Sequence, residues 1–207
     1  NKAISYYKEA SSFNNQFAKN NLSIIFKNGM KYEEENGKES EIKQNLGLAI
    51  EYLTESIRQK DDYVSMYNLS SIYFFNEMKT DFFDNIIEYL IKSIKHRFYP
   101  SYELISLVII KKCDHNLIKI KDILFNVFAN KENFSMTISN GIYSTIINNG
   151  LINESTYNKK YQELKQTDYI YNINKIPIKA EKEIKQNFYI HAKKEDKYKE
   201  ITEEFYE

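Results

Sequence analysis

A-I-E-Y-L-T-E-S-I from Ala49 to Ile57 and S-M-Y-N-L-S-S-I-Y from Ser65 to Tyr73 are followed by I-I-E-Y-L-I-K-S-I from Ile86 to Ile94 and P-S-Y-E-L-I-S-L-V from Pro100 to Val108. The first pattern returns after 37 residues (49 to 86) and the second after 35 (65 to 100). Within each copy apolar residues recur at steps of three and four, the period of one helix face. Two amphipathic helices per unit, repeated at a period in the mid-thirties, write an α-solenoid, in which no unit can bury its apolar face alone. The stretch from Ala49 to Ile110 therefore predicts an all-α chain, an α-solenoid of antiparallel helix pairs.

The pattern extends toward the N-terminus. Ala3–Ala10 (A-I-S-Y-Y-K-E-A) superposes on Ala49–Ser56, and Ala18–Phe26 (A-K-N-N-L-S-I-I-F) on Ser65–Tyr73. The chain thus opens inside a repeat, and a true N-terminus with any targeting signal is expected beyond Asn1. The extra length falls between Lys31 and Asn45, around E-E-E-N-G-K-E-S-E, and is expected as a charged, solvent-exposed loop. Small residues (Ala3, Ala10, Ala18, Ala49, Ser56, Ser65 and Ser93) recur where helix axes would cross. Leu22, Leu69 and Leu104 fill the space between layers. Phe26 and Tyr73, four residues after a Leu, share its face and are expected to bury against the preceding unit.

Toward the C-terminus the pattern loosens. Residues 109–166 read as degenerate units continuing the stack, with one stripe from Leu117 to Phe128 (Ile120, Ile123, Leu124, Val127, Phe128). A helix from Ser135 to Ile147 is stopped by Asn148-Asn149-Gly150, and a further one runs from Asn153 to Lys165. One continuous array is expected over 1–166, with an irregular connection over 167–178. A last helix over 179–207 carries Ile184, Phe188, His191, Tyr198, Ile201 and Phe205 as a narrow stripe. That helix is expected to cap the array in cis or to serve as an assembly surface for a partner.

Composition bounds the function. The 207 residues carry 29 basic and 29 acidic side chains, so the formal charge is zero and no electrostatic footprint for nucleic acid is written. A helical-repeat RNA binder would need a strongly basic face. Five Gly and two Pro leave few turn signals, which favours helices. The abundance of Asn and Tyr reads as compositional bias rather than as individual roles. A single cysteine, Cys113, excludes an internal disulfide framework and points to the cytoplasm or another reducing compartment. No run of 18 or more apolar residues is present, so no membrane span is expected.

At Ala18/Leu22/Phe26 with Ala49/Ser56, and at Ser65/Leu69/Tyr73 with Ile86/Ser93, the chain resembles the Sel1-like repeat family, a branch of the tetratricopeptide-like helical repeats. The resemblance covers roughly residues 1–110. Ser23, Ser70 and Ile105 stand where that family prefers Gly. What the resemblance implies is a scaffold or adaptor that gathers protein partners. Tetratricopeptide families that clamp a carboxylate use Lys and Asn at groove positions where this chain has neither pair.

Motifs for chemistry are missing. No phosphate loop, dinucleotide fingerprint, zincin motif or nucleophile elbow is written, so no enzymatic activity and no cofactor are expected. Cys113 and His115, two apart, point to different helix faces and make a poor metal pair. Glu33-Glu34-Glu35 reads as a solvated acidic run rather than an acid/base site. Asn21-Leu22-Ser23 and Asn68-Leu69-Ser70 fit the glycosylation sequon but lie in helices expected to pack.

In stacked helix pairs the first helix of each unit faces the concave side. Two residues before the Leu stand Asn20, Tyr67 and Tyr102, and two after it stand Ile24, Ser71 and Ser106. These six are the expected lining of a groove for a partner peptide or helix, held by stacking and Tyr hydroxyl bonds; the alternative for Tyr67 and Tyr102 is packing against neighbouring helices. The alternative reading is a structural subunit of a large assembly.

Overall fold

The computed structural model describes residues 2–33, 37–76, 83–129 and 136–169; the last helix expected over 179–207, and most of the connection before it, lie outside the described residues. The described elements are α1 (Lys2–Ser12), α2 (Gln16–Asn28), β1 (Met30–Glu33), β2 (Glu39–Ile42), α3 (Leu46–Lys60), α4 (Tyr63–Phe75), α5 (Phe83–Lys95), α6 (Pro100–Lys112), α7 (Leu117–Ala129), α8 (Met136–Asn148) and α9 (Glu154–Lys165). The chain is mostly helical. α3 and α5 open at 46 and 83 and α4 and α6 at 63 and 100, an offset of 37 in both cases where the sequence pattern returns after 37 and 35. The described residues fall into two compact units, one of residues 2–62 with Tyr169 and one of residues 63–168.

In the first unit α2 packs on both α1 and α3. Ala18, Leu22, Ala49 and Leu53 are fully buried, and Phe26 stacks on Tyr52 with ring centres 5.8 Å apart. Lys19 reaches its ammonium to Glu55 on α3 at 2.9 Å while its side chain stays 3% exposed. Asn14 Oδ1, in the α1–α2 turn, accepts from Lys19 Nζ and Gln59 Nε2, so the turn is tied to α3 through polar bonds.

The stretch between Lys31 and Asn45 is not a featureless loop. Met30–Glu33 pairs antiparallel with Glu39–Ile42, in the register Met30↔Ile42, Lys31↔Glu41, Tyr32↔Ser40 and Glu33↔Glu39. Alternation explains it: Met30, Tyr32, Ser40 and Ile42 share the half-buried side, while Lys31, Glu39 and Glu41 are exposed. The hairpin is pinned at its base. Gly29 holds φ 71°, and a Cβ there would stand 3.0 Å from Ile42 O, so the chain leaves α2 through a position that favours glycine. Asn45 N donates to Phe26 O at 2.6 Å and Gln44 Nε2 to Lys27 O at 2.8 Å, closing the insertion onto the end of α2.

In the second unit α6 is the central helix, touching α4, α5, α7, α8 and α9, and every residue from Leu104 to Ile110 is buried. Its start is set by Pro100, whose missing N–H costs nothing in the first turn. Ser93 Oγ donates to Tyr63 O and Ser101 Oγ to Ser93 Oγ, each at 2.9 Å, so small hydroxyls join α4, α5 and α6 where they meet. α8 packs on α6 and α7. α9 lies against α4 and α6: Tyr161 meets Phe74 and Phe75 of α4, and Lys160 meets Glu103 of α6.

Several asparagines have defined roles. Asn15, Asn45 and Asn153 accept the N–H of Ala18, Leu48 and Thr156 as N-caps, and Asn116 accepts from Ile118 and Lys119 at the head of α7. The compositional reading of Asn is corrected at these four positions.

Candidate interaction surface

Five of the six residues expected to line a groove are buried. Asn20 donates its amide to Tyr169 O at 3.2 Å, Ile24 is core, and Tyr67 meets the Phe98 ring edge-on at 5.4 Å. Ser71 is enclosed, and Ser106 Oγ donates to Tyr102 O at 2.6 Å. Tyr102 alone keeps partial exposure, its ring lying where a side chain on Gly141 would stand, 2.6 Å from Cε1. The expectation assumed helices buried on one face. α4 has no charged residue from Tyr63 to Phe75, and α6 only Glu103 before its last turn; apolar side chains and small or uncharged polar ones (Ser65, Asn68, Ser70, Ser71, Ser101, Ser106) fill most of both circumferences and are buried there. A side chain without surface cannot touch a partner, so in this conformation only Tyr102 of the six is open to contact.

The residues expected to carry no chemistry are placed as follows. Cys113 is buried, and burial pushes its thiol pKa up. His115 Nδ1 lies 3.4 Å from Ile152 O and its ring meets Tyr157 edge-on. Asn21 and Asn68, the sequon asparagines, are buried in α2 and α4. No group of three or more His, Cys, Asp or Glu side chains that could hold a metal ion exists among the described residues. No helix among them is long and apolar enough to cross a membrane.

The open apolar surface lies elsewhere, on α7 and α8. Ile118 (72% exposed), Phe125 (68%), Met136 (67%) and Ile147 (42%) are four of the seven exposed large apolar side chains among the described residues. Ile118 and Phe125 are seven apart and share a helix face opposite the buried Ile120 and Leu124. On α8, Met136, Tyr143 and Ile147 fall at i, i+7 and i+11, opposite the buried Ile138, Ile142 and Ile146. The helices run antiparallel, because Ser139 Oγ donates to Leu124 O at 3.4 Å and Lys121 Nζ stands 5.8 Å over the Tyr143 ring. That register brings Ile118 level with the Ile147 end of α8 and Phe125 level with the Met136 end. Lys119, Lys121 and Asp122 supply the exposed charges of α7.

In the sequence α7 reads as one stripe, Ile120 to Phe128, which leaves Ile118 and Phe125 off it. Their positions off the buried face were the available signal. Comparison with family models, with curated proteins and with solved structures returns no match for this chain.

Proposed function

We propose that the chain is a protein-interaction scaffold of the Sel1-like and tetratricopeptide-like kind, which takes an amphipathic helix of a partner on the outward face of α7 and α8. The observation that carries it is the exposure of Ile118 and Phe125 on α7 and of Met136 and Ile147 on α8, each pair opposite the buried face of its own helix in an antiparallel pair. Grouped exposed apolar side chains mark partner surfaces more than scattered ones do. The helix-pair reading is supported by the common 37-residue offset of α3 to α5 and α4 to α6, and by packing of α4 on α6 and of α6 on α8. In a solenoid the outward face of one pair is the seat of the next, so the complement of α7 and α8 is itself helical. Lys119 and Lys121 against Asp122 favour an acidic flank on the incoming helix.

The test is affinity capture from native lysate with the intact chain, compared with Phe125→Glu/Ile147→Glu and with Tyr102→Ala. The reading expects a discrete partner that survives Tyr102→Ala and is lost with the double variant. Loss with Tyr102→Ala alone would move the site back to the groove.

A further inference from the structure

α9 rests on α4 and α6 through aromatic and charged side chains. Its sequence, E-S-T-Y-N-K-K-Y-Q-E-L-K, holds three apolar side chains, Tyr157, Tyr161 and Leu164, at i, i+4 and i+7, the anchor spacing of a helix laid in a groove. Tyr157 Oη donates to Leu107 O at 3.5 Å, and its ring meets His115 edge-on at 4.8 Å. Tyr161 sets its ring edge-on to Phe75 at 4.9 Å and to Phe74 at 5.7 Å. Between the two tyrosines Lys160 Nζ reaches Glu103 Oε1 at 3.3 Å. The rest of the helix is polar. Three anchors must offset the ordering of a whole helix, which places α9 among the elements that open before the core does.

We propose that the surface formed by Phe74, Phe75, Glu103 and Leu107 is a second helix-binding seat, occupied in cis by α9 and open to a partner helix that carries α9's pattern. The occupant is defined by what sits there: aromatic, Lys, aromatic and Leu at i, i+3, i+4 and i+7. The phenylalanines take the second aromatic, Leu107 O takes the hydroxyl of the first, and Glu103 takes the ammonium. A short tether gives α9 a high effective concentration, so an outside helix gains access only when α9 is weakened or outcompeted. This seat is distinct from the α7–α8 face, and either can fail without the other.

The experiment uses the full chain and a fluorescent synthetic peptide of residues 153–167. Tyr157→Ala/Tyr161→Ala is expected to vacate the seat and bind the peptide at least about tenfold more tightly than the wild type does. Adding Glu103→Lys is expected to abolish that gain, and a peptide with Lys160→Glu to recover it. No peptide binding by the folded double variant overturns the proposal. So does dimerisation through exchanged α9 helices, which would make the seat a site between copies. Should the variant not fold, hydrogen exchange on the wild type decides. Amides of α9 exchanging well before those of α6 support the seat, and equal protection of both overturns it.

Discussion

Ser93 is the small residue that the repeat places at a helix crossing, and its environment fixes what a substitution does. It is fully buried where α4, α5 and α6 meet, donating to Tyr63 O and accepting from Ser101 Oγ, both at 2.9 Å. Ser93→Ala keeps the volume and removes two bonds, leaving a buried hydroxyl and a carbonyl short of a partner, for a cost of about 1–3 kcal/mol. Ser93→Leu loses the same bonds and adds three carbons where the helices already touch, a further ~1–3 kcal/mol from overpacking. In a chain of this size each kcal/mol lowers Tm by roughly 2–4 °C. Urea unfolding of both variants, with the slope checked for constancy, separates the two costs. Ser93→Ala/Ser101→Ala should cost less than the sum of its parts, because the second change removes the hydroxyl that the first left unpaired. If Ser93→Leu is tolerated as well as Ser93→Ala, close approach at this crossing is not what the small residue provides, and the packing reasoning fails.

Three further outcomes follow from the geometry. Gly29→Ala should destabilise by about 1–2 kcal/mol, since φ 71° strains any Cβ and Ile42 O lies 3.0 Å from it; an unchanged urea midpoint would refute this. Cys113, buried with its thiol pKa raised by burial, should resist a thiol reagent in the folded chain and react at once in denaturant, as a colorimetric thiol assay would show. Burial raises the pKa of Tyr157. Burial of Lys160 acts to lower its pKa, but the bonds to Glu163 and Glu103 outweigh that and hold it above the ordinary value. Both groups bind more protons folded than unfolded near their ordinary values, so their stabilisation is intact below about pH 10 and is lost as pH rises through the folded pKa. Amide exchange of α9 should therefore accelerate in alkali more than that of α6.

The helices were legible because their period and stops are written locally. Asn148-Asn149-Gly150 ends α8 as expected, Asn153 caps α9, and the stretches quoted from Ala49 to Val108 each fall within one helix of α3 to α6. The hairpin was also written, in the alternation of Met30 and Tyr32 with Ser40 and Ile42 about an Asn36-Gly37 turn signal, but the run of Glu side chains drew attention to charge instead. Five of the six residues expected to line a groove are buried for a tertiary reason. Periodicity ranks faces within one helix, while burial depends on how many neighbours a helix has, and α6 has five. The uncharged run of α4 from Tyr63 to Phe75 was the local sign that neither side would face solvent. The packing of α9 on α4 and α6 depends on matches between distant residues, Tyr161 with Phe74 and Phe75 and Lys160 with Glu103, that no local pattern marks.

The most direct measurement of the central claim is site-specific photocrosslinking in native lysate, with benzoylphenylalanine placed at Phe125 in one preparation and at the exposed Glu154 of α9 in another. The account predicts one discrete adduct from position 125, mapped by mass spectrometry to a helix with apolar residues at i, i+3/i+4 and i+7, and none from position 154. Adducts at 154 with none at 125 would contradict it.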